Sequence, residues 1–136
     1  MNCKVHRYDV VKTPQGNIFK LIKLNKKNSS NKELYISEVK KNYKKGWNLH
    51  TKHTCLIFLI EGEVKFKVYK NKKNSKIKLF NLSFKRNNIL EIPPQHWFSF
   101  ETTKYKSSKI LNLLSGFHSR TETKKKPIKY FKNPLK

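Results

Sequence analysis

Apolar residues occur in short runs separated by polar turns, and each run has the length of a strand. Leu34-Tyr35-Ile36-Ser37-Glu38-Val39 reads as one strand, with Asn42 to Gly46 as the connection after it. Leu56 to Ile60 is continuously apolar, and beyond Glu61-Gly62 the residues Val64, Phe66 and Val68 alternate with Lys65, Lys67 and Tyr69, the period of a half-buried strand. Asn71 to Ser75 has turn chemistry, and Ile77 to Phe84 resumes β-type residues with a bulge expected where the phase changes. After a turn at Arg86-Asn87-Asn88, three more strands are expected at Ile89 to Ile92, Trp97 to Phe100 and Ile110 to Leu114, and Pro93-Pro94 excludes helix between the first two. Nearer the start, Pro14-Gln15-Gly16 precedes a short apolar stretch from Ile18 to Leu24, and a polar loop runs from Asn25 to Lys32. No segment carries a helical period over three turns. Short strands at close spacing with nothing helical between them predict an all-β fold, an antiparallel sandwich or barrel of jelly-roll type. Residues 1–120 are expected to form this single domain, and the basic segment 121–136, with Pro127 and Pro134, a loosely packed tail or a terminal arm.

Composition sharpens the picture in two places. The chain has 136 residues, 32 Lys plus Arg against 8 Asp plus Glu, and a formal net charge of +24. Aromatic residues make up 12%, more than a charge-extended disordered chain carries, so a folded core under a lysine coat is expected. No apolar run approaches the roughly 20 residues of a membrane span, and Met1 to Val10 lacks the apolar segment of a secretory signal. The two cysteines, Cys3 and Cys55, lie far apart, which suits reduced thiols in the cytoplasm. The positive charge has two readings. Lys and Arg that neutralise phosphates gain affinity for nucleic acid by releasing counterions. Against this, Arg7, Arg86 and Arg120 are the only arginines, alanine is absent, and Lys, Asn, Ile, Phe and Tyr abound, a bias that A- and T-rich codons alone produce. The lysines are also dispersed, so nucleic acid is the less favoured partner.

Several motifs, taken in order, resemble one family. Lys45-Gly46-Trp47-Asn48-Leu49-His50-Thr51-Lys52 resembles an Arg/Lys-Gly-Trp-x-x-His-x-Lys signature, and Glu61-Gly62-Glu63-Val64-Lys65-Phe66 the Gly-x-Val-x-Phe turn and strand after it. Ile92-Pro93-Pro94-Gln95-His96-Trp97-Phe98-Ser99-Phe100 resembles a Pro-Pro-Gly-x-Trp-Phe-Gly-Phe segment. Leu111-Asn112 followed by His118 and Glu122 matches the spacing of the ending in one branch. These are features of the cupin-fold proteins related to dTDP-4-dehydrorhamnose 3,5-epimerase and the dTDP-sugar 3,4-ketoisomerases. The resemblance implies a cupin-type double-stranded β-helix, usually a homodimer, with a nucleotide-linked deoxyketosugar held in the barrel. It also implies metal-free chemistry without a cofactor, in which a histidine removes the proton next to the sugar ketone and an acid such as tyrosine serves the enolate.

The departures from that pattern are specific. Asn48 stands where the epimerases carry their catalytic histidine, and an amide cannot abstract a proton. His50 corresponds to the second histidine of the ketoisomerase-like pattern and becomes the catalytic candidate, with a hydrogen-bonded, barrel-lining histidine as the alternative. Asn48 and His50, two apart on a strand, should face the same side. The strand that carries the epimerases' tyrosine reads Ile110-Leu111-Asn112, so their acid is missing there. A metal-binding reading needs the His-x-His pair that Asn48 interrupts, and Phe98 fills the late histidine position, so no metal is expected. Lys45 and Lys52 are candidate diphosphate contacts, and Asn48 and Asn112 candidates for orienting the sugar. Trp47 and Trp97 either stack on a ring of the substrate or pack in the core. His96, His118 and Glu122 are expected in structural roles or at the barrel mouth. The reading is a sugar-nucleotide epimerase or isomerase of polysaccharide sugar biosynthesis. Its alternatives are a non-catalytic sugar- or nucleotide-binding cupin and a basic nucleic-acid-binding protein.

Overall fold

A computed structural model describes residues 2–11, 14, 18–20, 32–116 and 119–131. In chain order its strands are β1 (Lys4–Arg7), β2 (Asp9–Val11), β3 (Ile18–Lys20), β4 (Glu33–Lys40), β5 (Lys44–His50), β6 (Cys55–Glu61), β7 (Glu63–Lys70), β8 (Lys78–Ser83), β9 (Asn88–Ile92), β10 (His96–Thr102), β11 (Ser107–Leu114) and β12 (Thr123–Lys125). One five-stranded sheet has the order β1-β9-β6-β11-β4 and the other β12-β5-β10-β7-β8, and β2 and β3 form a separate two-stranded sheet; every pairing is antiparallel. This is the jelly roll expected from the strand spacing, in its cupin form. Helical geometry among the described residues is confined to 3-10 turns at Phe84–Arg86 and Ile128–Phe131.

Strand alternation decides what lies between the sheets. On β7, Val64, Phe66 and Val68 point inward with at most 2% exposure and meet Ile57, Leu90, Ile92, Phe98, Phe100 and Leu114 from the neighbouring strands. Phe66 and Phe100 stack at 5.0 Å between ring centroids. Each large apolar side chain buried this completely contributes about 2 kcal/mol from its removal from water. The odd-phase residues of the first sheet face outward. Phe58, Ile89 and Leu113 cluster there with Leu56 and Leu111, while Leu34 and Ile36 on β4 remain 58% and 61% exposed.

The structure departs from the sequence reading at several elements. β5 begins at Lys44, so the connection before it is shorter than expected. The β7–β8 ladder runs from Glu63↔Ser83 to Val68↔Lys78 without a shift, so the bulge expected in β8 is absent. A register shift lies instead in the β10–β5 ladder, where Phe98 pairs with Asn48 and Ser99 with Gly46, so that Trp47 is the extra residue of β5 and its backbone bonds to Lys126 on the other side. Within segment 121–136, β12 pairs with β5 through Thr123↔His50 and Lys125↔Asn48, and Ile128 packs on the outer face of β5. Trp47 and Trp97 lie on that outer face. They pack with Leu49 and Ile128, and the Trp47 indole donates to the Ile128 carbonyl at 3.2 Å. Lys126 sits 4.7 Å above the Trp97 ring.

Candidate functional site

The bulge in β5 builds one side of a cavity. In a regular strand Lys45 and Asn48, three apart, would face opposite sides. The extra residue at Gly46-Trp47 restores their phase, so Lys45, Asn48 and His50 all line a cavity of about 210 Å³ between the sheets. Gly46 makes the bulge feasible: its φ is +117°, and a Cβ there would lie 2.6 Å from the Phe98 carbonyl oxygen. Tyr35 and Ser37 from β4, Asn112 from β11, and Thr123 and Lys125 from β12 complete the polar wall, with Ile57, Phe98, Phe100 and Ile110 as the apolar part.

At the deep end, His50 Nδ1 lies 2.8 Å from Glu122 Oε2, with both residues at most 5% exposed. The other carboxylate oxygen accepts the backbone N–H groups of Lys52 and His53, each at 3.2 Å, and the Thr123 hydroxyl donates to Oε2 at 3.1 Å. Burial alone pushes the Glu122 carboxyl up, but the hydrogen bonds from His50, Lys52 and His53 outweigh it, and the group is held below its ordinary value. An ionised Glu122 has no proton to give, so Nδ1 carries the hydrogen of the short contact. Nε2 is then the nitrogen that can take up a proton, the tautomer a general base needs. The His50 ring stacks parallel to Phe98 at 6.3 Å, which fixes its plane.

Across the cavity, the Asn112 amide donates to the Tyr35 hydroxyl at 2.8 Å. Burial pushes the Tyr35 phenol up to about 12, so it holds its proton at neutral pH. Cys55, behind this pair, is pushed up to about 12 by burial, with a hydrogen bond from Asn112 acting against the shift, so it is no nucleophile at neutral pH. Asn112 Oδ1 is buried without a hydrogen-bond partner. An unmet acceptor on a cavity wall is a place for a ligand hydroxyl.

Of the residues singled out in the sequence, His50, Asn48, Asn112 and Lys45 converge on this cavity, where Lys45 also donates to Ser37 at 3.2 Å. Trp47 and Trp97 belong to the outer apolar cluster and do not line it. The Lys52 side chain is exposed, and only its backbone N–H reaches the site, through Glu122. His96 lies elsewhere, its Nδ1 2.9 Å from the Pro94 carbonyl. His118 lies outside the described residues. Glu122 is the buried partner of His50. Tyr35, Thr123 and Lys125 escaped the sequence reading; the alternation of β4 carried the signal for Tyr35, but nothing local showed which of its faces meets His50. Among the described residues no three His, Cys, Asp or Glu side chains come together as a metal-holding group.

Known proteins share this fold. A dTDP sugar isomerase from Desulfovibrio desulfuricans superposes with a TM-score of 0.81 at 22% identity, covering 92% of this chain and 83% of its own. The sugar 3,4-ketoisomerase QdtA from Thermoanaerobacterium thermosaccharolyticum, in complex with TDP, gives 0.74 at 18% identity over 90% and 87%. A 3,4-ketoisomerase from Helicobacter canadensis gives 0.72 at 21% identity over 91% and 90%. At these identities the likeness is one of fold. No curated protein sequence matches the chain. A family model, described as FdtA: WxcM-like, C-terminal, matches residues 1–132, and by that match over nearly its whole length the chain belongs to the WxcM-like, C-terminal (FdtA) family.

Proposed function

We propose that this protein is a nucleotide-sugar ketoisomerase or epimerase that moves a proton on and off the carbon beside a sugar ketone. The observation that carries the reading is the buried His50–Glu122 pair, whose imidazole opens onto a cavity lined by Lys45 and Lys125 and, among the described residues, by no carboxylate. Nε2 of His50 removes the proton, the C–H electrons move to the ketone oxygen, and the Tyr35 hydroxyl donates to that oxygen as the enol forms. Protonation of the same carbon from the other face by solvent, with the enol proton returning to the Tyr35 oxygen and His50 releasing its proton to water, gives an epimer. Returning the proton to the neighbouring carbon, with the enediol hydroxyl losing its own, relocates the ketone. Glu122 steadies the imidazolium formed midway. Asn112 Oδ1 accepts a sugar hydroxyl, Asn48 faces the sugar from the opposite sheet, and the two lysines meet the diphosphate.

The dTDP sugar isomerase and TDP-bound ketoisomerase that share the fold support dTDP over other nucleotides, and sugar biosynthesis for a polysaccharide such as lipopolysaccharide as the setting. We place this activity in the cytoplasm, where the thiols of Cys3 and Cys55 stay reduced. The working unit is a homodimer. The outer face of the first sheet presents Leu34, Ile36 and Ile60 beside the Phe58–Leu113 cluster on an otherwise lysine-rich surface, an apolar face that suits a second copy of itself. Thermal unfolding with dTDP, dTDP-linked and UDP-linked sugars tests the substrate class. A dTDP-4-keto-6-deoxy sugar should stabilise the protein beyond dTDP alone, and a Lys45→Gln/Lys125→Gln variant should lose most of both shifts. No shift with any nucleotide sugar would contradict the proposal.

A further inference from the structure

A second cavity, of about 280 Å³, opens at the opposite edges of the two sheets, beside β8 and the residues leading into β1. Lys70, Lys72, Lys76 and Lys78 line it, and among the described residues no acidic side chain does. Four like charges around one hollow repel one another unless an anion lies between them. His96 and Phe80 form part of the inner wall. His96 is 95% buried, at 5% exposure, and its two nitrogens are unequally provided for. Nδ1 meets the Pro94 carbonyl at 2.9 Å, whereas Nε2 is buried with no hydrogen-bond partner. A carbonyl is only an acceptor, so Nδ1 carries the hydrogen and Nε2 presents a lone pair. Burial, together with the nearby Lys70, disfavours a second proton on the ring.

The surroundings are held in place before any ligand arrives. The loop between β7 and β8 is tied to the Pro93–Trp97 segment by Asn71 N–H to the Gln95 carbonyl at 2.9 Å and by the Trp97 indole to Asn71 Oδ1 at 3.2 Å. Within the loop, Ser75 Oγ accepts the Lys70 N–H at 3.0 Å. A fixed loop loses little entropy on binding.

We propose that this cavity is a second binding site, separate from the His50 cavity, for the terminal phosphate of a small phosphomonoester. The lysines neutralise its charge, and its P–OH group donates to His96 Nε2. That single proton explains the choice of ligand. A phosphodiester or a sulfate brings charge but no hydrogen, and leaves two acceptors facing each other at the cavity wall; a monoester brings both as its monoanion, the form that predominates below its second pKa of about 6. Nucleic-acid backbone, whose phosphates are diesters, is therefore disfavoured here despite the lysines.

The test is a titration of the 15N-labelled protein followed at the imidazole nitrogens, with inorganic phosphate, methyl phosphate, dimethyl phosphate and sulfate as probes at constant ionic strength. The His96 signal, assigned by its loss in His96→Gln, should move saturably with inorganic and methyl phosphate, and at least tenfold more weakly with dimethyl phosphate and sulfate. Lys72→Gln/Lys76→Gln, at exposed positions that do not bear on folding, should weaken phosphate binding at least fivefold, while Lys45→Gln/Lys125→Gln in the other cavity should leave it unchanged. A His96 signal that does not move, an equal response to sulfate, or undiminished binding in Lys72→Gln/Lys76→Gln would each overturn the proposal. None of these outcomes bears on the chemistry assigned to His50.

Discussion

Replacing Glu122 with glutamine keeps the side chain's size and removes its charge, and the structure gives the consequences for His50 atom by atom. The carboxylate oxygen 2.8 Å from Nδ1 is an acceptor, and an amide NH2 in its place is a donor. Glutamine can keep its oxygen toward the Lys52 and His53 N–H groups, both at 3.2 Å, only by turning its NH2 toward His50. Nδ1 must then accept, the ring hydrogen moves to Nε2, and the nitrogen facing the substrate loses its lone pair. The variant also loses the attraction between Glu122 and the imidazolium formed during turnover, about 6 kcal/mol for unit charges 2.8 Å apart at an effective dielectric of 20. Solvent at the cavity mouth reduces this, so we expect kcat to fall by about 10³ to 10⁴, or about 4 to 5.5 kcal/mol. Folding should weaken by about 1 kcal/mol at pH 7, the difference between a charge-assisted hydrogen bond and a neutral one. Because the folded Glu122 is held below its ordinary value of 4.5, its stabilisation is complete above that pH and is lost as the pH falls through the folded value. The stability gap between wild type and Glu122→Gln should therefore narrow on acidification below about pH 4.5. Turnover at pH 7 and denaturant unfolding between pH 3 and 7 measure both effects. A variant that keeps wild-type kcat would refute the role given to the pair, and a gap that widens in acid would refute the electrostatics.

Other changes separate fold from chemistry. Gly46→Ala places a methyl group 2.6 Å from the Phe98 carbonyl oxygen at a φ of +117°, and should destabilise the protein by about 3 kcal/mol in denaturant unfolding; a loss under 1 kcal/mol would show that the bulge adapts. Tyr35→Phe removes the proton donor and leaves the ring in place, so kcat should fall by about 10² to 10⁴ with stability within about 1 kcal/mol, and an unchanged kcat would remove Tyr35 from the reaction. Ile36→Lys with Leu111→Lys puts charge into the apolar outer face and should give monomers by light scattering where the proposed interface predicts dimers for the wild type; dimers in the double variant would place the interface elsewhere.

The strands were legible because alternation and turn residues are local signals. Val64, Phe66 and Val68 point inward, as their spacing requires, and Asn48 and His50 share a wall for the same reason. What escaped the sequence depends on contacts between distant segments. The phase slip at Trp47 is fixed by the partner strand β10, so nothing in the order Lys45-Gly46-Trp47-Asn48 tells which residue is extruded. The two tryptophans pack outside the sheet because Ile128, some 80 residues later in the chain, covers Trp47. Glu122 was visible as part of an ending, yet its meeting with His50 requires β12 to pair with β5, and three residues with two lysines carry little strand signal of their own. Tyr35 alternates like any half-buried strand residue, and only the sheet order brings it to His50.

The central claim is that His50 moves a proton at carbon. Incubating the protein in D2O with dTDP-4-keto-6-deoxyglucose and following the sugar by NMR and mass spectrometry tests it most directly. The account predicts incorporation of deuterium at the carbon beside the ketone, dependent on enzyme concentration and abolished in His50→Gln, whose thermal unfolding stays close to wild type. Exchange that persists in His50→Gln, or its absence in a wild-type protein that binds the sugar nucleotide, would contradict it.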